Sequence, residues 1–398
     1  LTTSSPFFKQ FGLNYIGPID GHDLSQLIDT FRTLKNAKGP VLVHVLTVKG
    51  QGMQNAINNP TSYHGAKPFN PITGEFYSSK SHQTSFPKVF GKEVLLLAEK
   101  HPDLVAITPA MPVGSCLNDF MERYPKRCID VGIAEGHAVT YAAGIGVSKQ
   151  TKVIACVYST FLQRAFDNIY HDVCVQESPV IFAIDRAGLA CGDGVTAQGI
   201  FDIAYLNAMP GLIITQPRDG HTLKELLESA LDWKSPVAIR YPNLPTENLD
   251  APKKKRLIGK GDILSEGKEI VIISLGHMSS IALDVKNRLL KNQINATVID
   301  PVFIKPLDSD LLSDAFAEAK LIVTIEEHAL NGGLGSIINN FIAQKGFSQA
   351  KVLNFGIPDR LIPHGSHKDL LKLLGLSPEN ISRIILNKIE MLEILKIG

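Results

Sequence analysis

Between Ser85 and Pro245 the sequence alternates short apolar runs of strand length with longer stretches whose apolar residues recur at helical spacing. Runs at 104–108, 153–158, 180–184, 212–215 and 237–240 read as strands, while 89–100, the stretch from Gly136, 161–175 and 223–231 read as helices. Alternation of this kind restricts the fold to the α/β class, a doubly wound parallel sheet with helices on both faces. Such a sheet gathers its ligands at the carboxyl ends of its strands. Thr108-Pro-Ala-Met111, Tyr158-Ser-Thr160 and Asp185-Arg-Ala-Gly188 all fall at those ends.

A Pro- and Lys-rich connection over 243–257 leads into a second alternating series, with strands expected at 270–274, 296–299, 321–325 and 352–355 and helices at 281–291, 309–319, 333–343 and 368–373. This predicts a second, smaller doubly wound sheet. Ahead of both series lie one helix, 24–34, one apolar strand, 41–47, running into Lys49-Gly-Gln-Gly-Met53, and an irregular Asn/Pro/Gly-rich tail. That is too little for a domain, so this segment is expected to be the end of a larger unit, with the chain opening at Leu1 inside a loop. The predicted organisation is 1–85, 86–245 and 258–398. Hydrophobic residues at 44% and charged ones at 20% suit a globular chain, and no apolar run reaches membrane-spanning length. A net charge of +1 leaves no nucleic-acid footprint, and Lys253-Lys-Lys-Arg256 reads as a solvated linker. Five cysteines, odd in number and without C-x-x-C pairing, predict free thiols in a reducing compartment and no cysteine metal site.

Inside the first series, Asp130-Val-Gly-Ile-Ala-Glu-Gly-His-Ala-Val-Thr-Tyr-Ala-Ala-Gly144 ends an apolar run at Ala134 and starts a helix at once. Glu135 therefore stands at a strand-to-helix junction, where one acid can be presented to a cleft. Alone, such a Glu more often simply complements the helix dipole. Around it stand Ile107-Thr-Pro-Ala-Met111, Tyr158-Ser-Thr-Phe-Leu-Gln-Arg164, Asp185-Arg-Ala-Gly188, Gly192-Asp-Gly194 and the early Gly17-Pro-Ile-Asp-Gly-His-Asp23. Taken together these resemble the 1-deoxy-D-xylulose-5-phosphate synthase family, thiamine-diphosphate enzymes of the transketolase superfamily. Lys305-Pro-Leu-Asp308, Glu326-Glu-His328, Gly332-Gly-Leu-Gly-Ser336 and Pro363-His-Gly365 resemble the carboxy-terminal domain of that superfamily, so the resemblance covers essentially the whole chain. The glycines at 332–335 read as a turn and a helix start rather than a nucleotide loop.

The resemblance implies a thiamine-diphosphate-binding fold (pyrimidine domain) followed by a transketolase-type carboxy-terminal fold. It implies condensation of pyruvate with D-glyceraldehyde 3-phosphate to 1-deoxy-D-xylulose 5-phosphate and CO2, feeding isoprenoid, thiamine and pyridoxol synthesis. The cofactor carries the carbanion chemistry, and the protein supplies one acid to its ring nitrogen, by resemblance Glu135. Ile133, Met111, Phe161 and Arg164 match cofactor-binding positions, with Lys49 near the diphosphate. Tyr158, Arg186 and Asp193 match positions that meet the acceptor, whose phosphate needs fixed cations and hydroxyls. His64 matches a proton-shuttling histidine. A homodimer, an amino-terminal diphosphate-binding domain and a bacterial cytoplasmic or plastid-stromal setting are implied as well.

Gly192-Asp-Gly194 mimics the opening of a thiamine-diphosphate metal motif, but no Asn-Asn follows, so magnesium ligands are expected upstream of Leu1 and none within the chain. Three positions depart from the family pattern: Gly136 where it has Gln, Ala197 where it has His, and Asn243 where it has Arg. Each swap removes a polar or charged group. They keep open a catalytically impaired paralogue with an assembly or regulatory role. A beta subunit of a 2-oxo acid dehydrogenase shares the two alternating domains but lacks the Gly17–Asp23 motif.

Overall fold

The computed structural model describes residues 6–77, 84–249, 251–347 and 349–397, and the chain divides into two units, Leu1–His82 and Gln83–Gly398. The opening loop expected at Leu1 lies outside the described residues.

In the first unit, β1 (Asn14–Asp20) and β2 (Val41–Leu46) pair in parallel around the helix Leu24–Leu34. The sequence reading found β2 and the helix but not β1. The Gly-Pro pair inside β1 interrupts strand periodicity, and the ladder absorbs it as a register shift between Ile16 and Ile19. Gly17, at φ 130, lies against His44 so closely that a Cβ would come within 2.9 Å of the His44 Cβ. The rest of the Gly17–Asp23 motif is a turn and a cap: the Asp23 carboxylate accepts from Gln26 N at 3.0 Å, and His22 Nε2 accepts from Val48 N at 2.7 Å. The helix buries none of its residues, and Leu24, Ile28 and Phe31 form an exposed apolar stripe along it. The tail is organised by Tyr63, Phe69 and Phe76, whose ring centroids lie 5.0 to 5.7 Å apart.

The second unit holds two sheets. The larger has the order β12-β7-β8-β6-β5-β3-β4, built from β3 (Leu104–Thr108), β4 (Cys128–Asp130), β5 (Lys152–Tyr158), β6 (Val180–Asp185), β7 (Ile213–Thr215), β8 (Val237–Arg240) and β12 (Phe303–Lys305). The smaller has the order β14-β13-β10-β11-β9, built from β9 (Asp262–Ser265), β10 (Ile270–Ser274), β11 (Thr297–Asp300), β13 (Leu321–Ala329) and β14 (Lys351–Ile357). Both are α/β sheets with helices on their faces, as expected, but neither is wholly parallel. β9 runs antiparallel to β11, and β12 runs antiparallel to β7. Both are short edge strands, whose few residues give little periodicity to read.

Strands β5 and β6 are almost wholly buried and read as continuous apolar runs because helices cover both faces. On one face Val153, Val157, Phe182 and Ile184 join Ala138 and Ala142 of the helix Glu135–Gly146, and this core continues into Val271 and Ile273 of the smaller sheet. On the other, the helices Phe86–Lys100 and Gly220–Ala230 bury Phe90, Leu97 and Leu226 against Ile154 and Trp233. The single helix expected over 161–175 is instead a broken run: α-helical at Ser159–Leu162, 3₁₀ at Gln163–Ala165, α-helical again at Phe166–Asn168 and π-helical at Ile169–Cys174.

The basic run at 253–256 is solvated only in part: Lys254 and Lys255 are exposed, whereas Lys253 and Arg256 are engaged by the fold. Lys253 Nζ lies 2.7 Å from Glu93 Oε1, and Arg256, 4% exposed, pairs with Glu225 Oε2 at 2.8 Å and Asp262 Oδ2 at 2.7 Å. Burial alone would raise Asp262, but Arg256 and Arg218 overcome it and hold its carboxyl well below the usual range. Partners distant in sequence thus anchor an apparent linker at Lys253 and Arg256. All five cysteines are free thiols, as expected.

Candidate active site

The ends of β3, β4, β5 and β6 converge on one edge of the larger sheet, in keeping with the rule for doubly wound folds. Asp130 Oδ1 accepts from Ala110 N at 2.8 Å and Gly132 N at 2.9 Å, so one carboxylate ties the loop after β3 to the loop after β4. Met111 and Ile133 ride on these two loops, Ile133 being 86% exposed. Two residues later the helix Glu135–Gly146 begins with no side-chain cap. Glu135 is only 6% exposed, and its carboxylate has no partner among the described residues. A largely buried carboxylate with no protein partner is open to a ligand that brings a hydrogen-bonding group, such as the ring nitrogen the family resemblance implies. The exposed faces of Ile133 and Phe161 suit the apolar surface of such a ring.

Tyr158 ends β5 and Arg186 follows β6. The Arg186 guanidinium carbon lies 3.8 Å from the centre of the Tyr158 ring, and Phe161 stacks on Tyr158 with centroids 5.5 Å apart and planes at 12°. Gly114 is required beneath them, since a Cβ there would collide with Tyr158 Oη and reach within 2.8 Å of Met111 Cε. Arg186 adopts φ 57, rare for a residue with a side chain, and donates to Gly114 O at 3.3 Å and to the Asp185 carboxylate. Asp185 is fully buried; burial pushes it up to about 6 despite the adjoining guanidinium. Much of the Arg186 charge therefore answers an internal carboxylate. Burial also pushes the Tyr158 phenol up, with Arg186 opposing the shift and Asp185, Cys116 and Asp193 reinforcing it.

Asp193 and Ala197 belong to a loop closed by paired bonds between Gly188 and Gly199, at 2.7 and 2.9 Å, and held to the 363–365 motif by Gly365 N donating to Cys191 O at 2.9 Å. Asn243 is exposed just past β8, beside the Arg186 segment, where Tyr241 O accepts from Ala187 N at 3.0 Å. At Gly136 a Cβ would stand 2.8 Å from Asn168 Oδ1, so Asn168 fills the space above this glycine, and its amide donates to Thr140 Oγ1 at 2.9 Å. Met111, Tyr158, Phe161 and Arg186 are thus brought together. Arg164 is exposed on the 3₁₀ turn beyond Phe161 and has no partner among the described residues. Lys49 and His64 are exposed in the first unit.

Sequence reasoning named Arg186 but passed over Asp185, Asp130 and Gly114. Asp185 could have been found, because an acid directly before an Arg at a strand end is placed to neutralise it. Nothing in the sequence marks Gly114. The Glu326-Glu-His328 motif lies on β13 and is wholly buried. Glu326 accepts from Leu334 N at 2.7 Å and Gly335 N at 2.8 Å, capping the helix Leu334–Lys345, so the glycines there do form a helix start. His328 Nε2 accepts from Ile203 N at 3.1 Å. Arg240 and Asp202 form a buried pair beside it, with Nε to Oδ2 at 2.8 Å.

Two joined α/β sheets, with an unpartnered acid at a helix start over the strand ends of the larger, are matched among known proteins by the transketolase class. Residues 82–246 match the pyrimidine-binding domain of transketolase and 259–381 its C-terminal domain. A solved split-gene transketolase, described as an inactive beta4 tetramer, is similar with a TM-score of 0.69 and 26% identity, covering 76% of this chain and 97% of that one. Transketolase from Campylobacter jejuni shares the fold alone, at 14% identity, a TM-score of 0.63 and coverage of 97% of this chain and 69% of that one. Residues 1–47 match the 1-deoxy-D-xylulose-5-phosphate synthase model. The 1-deoxy-D-xylulose-5-phosphate synthases of Chlamydia felis and Chlamydia caviae are 49% and 47% identical over 393 residues, 96% of this chain. The chain belongs to the 1-deoxy-D-xylulose-5-phosphate synthase family. It spans 60% of the length of those two relatives.

Proposed function

We propose that the protein containing this chain condenses pyruvate with D-glyceraldehyde 3-phosphate to give 1-deoxy-D-xylulose 5-phosphate and CO2, using thiamine diphosphate. The cofactor, when bound, supplies the stabilised carbanion. Glu135 holds a proton toward the pyrimidine ring nitrogen; Ile133, Met111 and Phe161 flank that ring and exclude water, with Arg164 and Lys49 as further cofactor contacts. Tyr158, Arg186 and Asp193 receive the acceptor, and His64 moves protons. Magnesium, with ligands outside this chain, a homodimer, a cytoplasmic or stromal setting and the division into 1–85, 86–245 and 258–398 belong to the same reading. Among the described residues no helix is long and apolar enough to cross a membrane. The exposed stripe of Leu24, Ile28 and Phe31 supports the reading of 1–85 as part of a larger unit.

The observation that carries the proposal is the buried, unpartnered Glu135 in a chain of this family. Its test is product formation by the complete protein from pyruvate and glyceraldehyde 3-phosphate, with CO2 release followed in parallel. Neither CO2 nor product would overturn it. The engagement of Arg186 by Asp185, together with Asn243, favours a second reading in which pyruvate is decarboxylated but the phosphorylated acceptor is used poorly. CO2 release without efficient product formation distinguishes that reading.

A further inference from the structure

Between Glu326 and His328, the side chain of Glu327 points to the opposite face of β13 and is 1% exposed. Its Oε1 accepts from Leu189 N at 2.6 Å, and Gly188 leaves no room there for a side chain, since a Cβ would sit 2.5 Å from that oxygen. Oε2 faces two imidazoles: His277 Nε2 at 3.1 Å and His367 Nε2 at 2.6 Å. His277 lies on the 3₁₀ turn Gly276–Met278 after β10, and His367 opens the helix His367–Leu373. Three separate elements thus bring one donor atom each to within 4.8 Å of one another. Both histidines also line a cavity of about 570 Å³ shared with Ser279, Ser280 and Asp219, which gives the cluster an access path.

We propose that His277, Glu327 and His367 form a binding site for a divalent transition-metal ion of the zinc class, with a coordination position open to the cavity. Two imidazoles and one carboxylate form a donor set used by zinc and its neighbours in the first transition row, whereas magnesium and calcium take oxygen ligands. The hydrogen bond from Leu189 N fixes the orientation of Glu327 from behind, as outer-shell partners do in metal sites. Since Leu189 lies at the root of the loop carrying Asp193, an ion here would pin the smaller sheet to that loop.

The arrangement around His277 makes the proposal sharper. Gln216 Oε1 is taken by Arg240 Nη1, so the Gln216 amide nitrogen faces His277 Nδ1, at 3.2 Å. Without metal, His277 accepts at Nδ1 and carries its proton on Nε2, donating it to Glu327. An ion at Nε2 displaces that proton and requires Nδ1 to donate instead, against the Gln216 amide. A carboxylate at 216 could accept from Arg240 and from Nδ1–H together. Gln216→Glu should therefore strengthen binding, which a purely structural hydrogen-bond cluster would not do.

The test is titration of the chelator-stripped complete protein with Co²⁺ at pH 8 in excess Mg²⁺, read by visible d–d absorption and metal content per chain. The expected result is one Co²⁺ per chain with a four- or five-coordinate spectrum, lost in His277→Ala and in His367→Ala, and bound about tenfold or more tightly in Gln216→Glu. His367→Asn, with a melting curve compared against the unaltered protein, separates loss of the ligand from loss of the fold. Absence of Co²⁺ uptake by the folded protein, retention of the spectrum in the double variant His277→Ala/His367→Ala, or weaker binding by Gln216→Glu would overturn the assignment.

Discussion

Asn243→Arg tests the reading of the acceptor end of the site. Arg186 is the cation there, but its side chain is 17% exposed, it pairs with the buried Asp185, it donates to Gly114 O and it lies 3.8 Å over Tyr158. A phosphate arriving at this point meets a guanidinium already engaged on three sides. Asn243 is exposed at the end of β8, alongside the backbone of the same segment, and a longer side chain there meets open solvent rather than packed core. A new charge-assisted contact contributes about 1.5 to 3 kcal/mol. At about 1.36 kcal/mol per decade, that is roughly a tenfold to hundredfold rise in kcat/KM for glyceraldehyde 3-phosphate. The assay varies the triose phosphate at saturating pyruvate with the complete protein, and repeats the series with unphosphorylated D-glyceraldehyde. Only the phosphorylated acceptor should gain, through a lower KM, while CO2 release from pyruvate alone stays level. An equal gain with both aldehydes, or none with either, would refute the argument that Arg186 lacks a second cation. Adding Ala197→His should then act on kcat for both aldehydes, since it restores an imidazole rather than a charge clamp.

Glu135→Gln should leave the fold intact while slowing C2 proton exchange of bound thiamine diphosphate by about 10² to 10⁴-fold, measured by isotope exchange; an unchanged rate would remove Glu135 from its role. Asp202→Asn removes the counter-charge of the Arg240 guanidinium, which is 1% exposed, and should cost about 3 to 5 kcal/mol in urea unfolding, with a loss under about 1 kcal/mol counting against the pair. Burial pushes Glu326 up to about 8 against its two backbone donors. A raised carboxyl favours the fold while protonated, so its contribution is complete below the ordinary value and fades as pH rises through about 8. The melting temperature of the unaltered protein should accordingly fall relative to Glu326→Gln between pH 5 and pH 9, and a constant difference would show that Glu326 carries no proton in that range.

The sequence displayed most of the fold because the buried strands of a doubly wound sheet are continuous apolar runs, and those at β3, β5, β6 and β8 were found within a residue or two. What escaped were segments whose conformation is decided elsewhere. β1 is broken by Gly17-Pro18, β12 is three residues whose partner lies far back in the chain, and the 159–174 run changes helical pitch under tertiary packing. The same division holds for the candidate site. Strand ends and helix starts made the places of Glu135, Tyr158 and Arg186 legible, while the roles proposed for them come from the family resemblance. Asp185 as the counter-charge of Arg186, Asn168 in the space over Gly136, and the partners that bury Arg256 were not, because each depends on which distant residue arrives alongside. Local spacing shows where a group stands, and only the assembled fold shows what it faces.

β12 changes what a domain border means in this chain. The polypeptide leaves the larger sheet at Arg240, crosses to the smaller one, and only at Phe303–Lys305 comes back to close the edge at β7, where Val302 O accepts from Gln216 N at 3.0 Å and from Thr215 Oγ1 at 2.6 Å. A nascent chain that has emerged as far as Arg256 presents that edge bare, with Ile214 and Gln216 offering unpaired peptide groups to any neighbouring strand. The larger sheet therefore waits on synthesis of part of the smaller one, and the two mature together rather than in succession. Cleaving the chain in the 243–257 connection would yield a front half with an adhesive edge and a back half carrying an orphaned strand, so any cut that leaves the larger sheet whole has to fall outside 84–305.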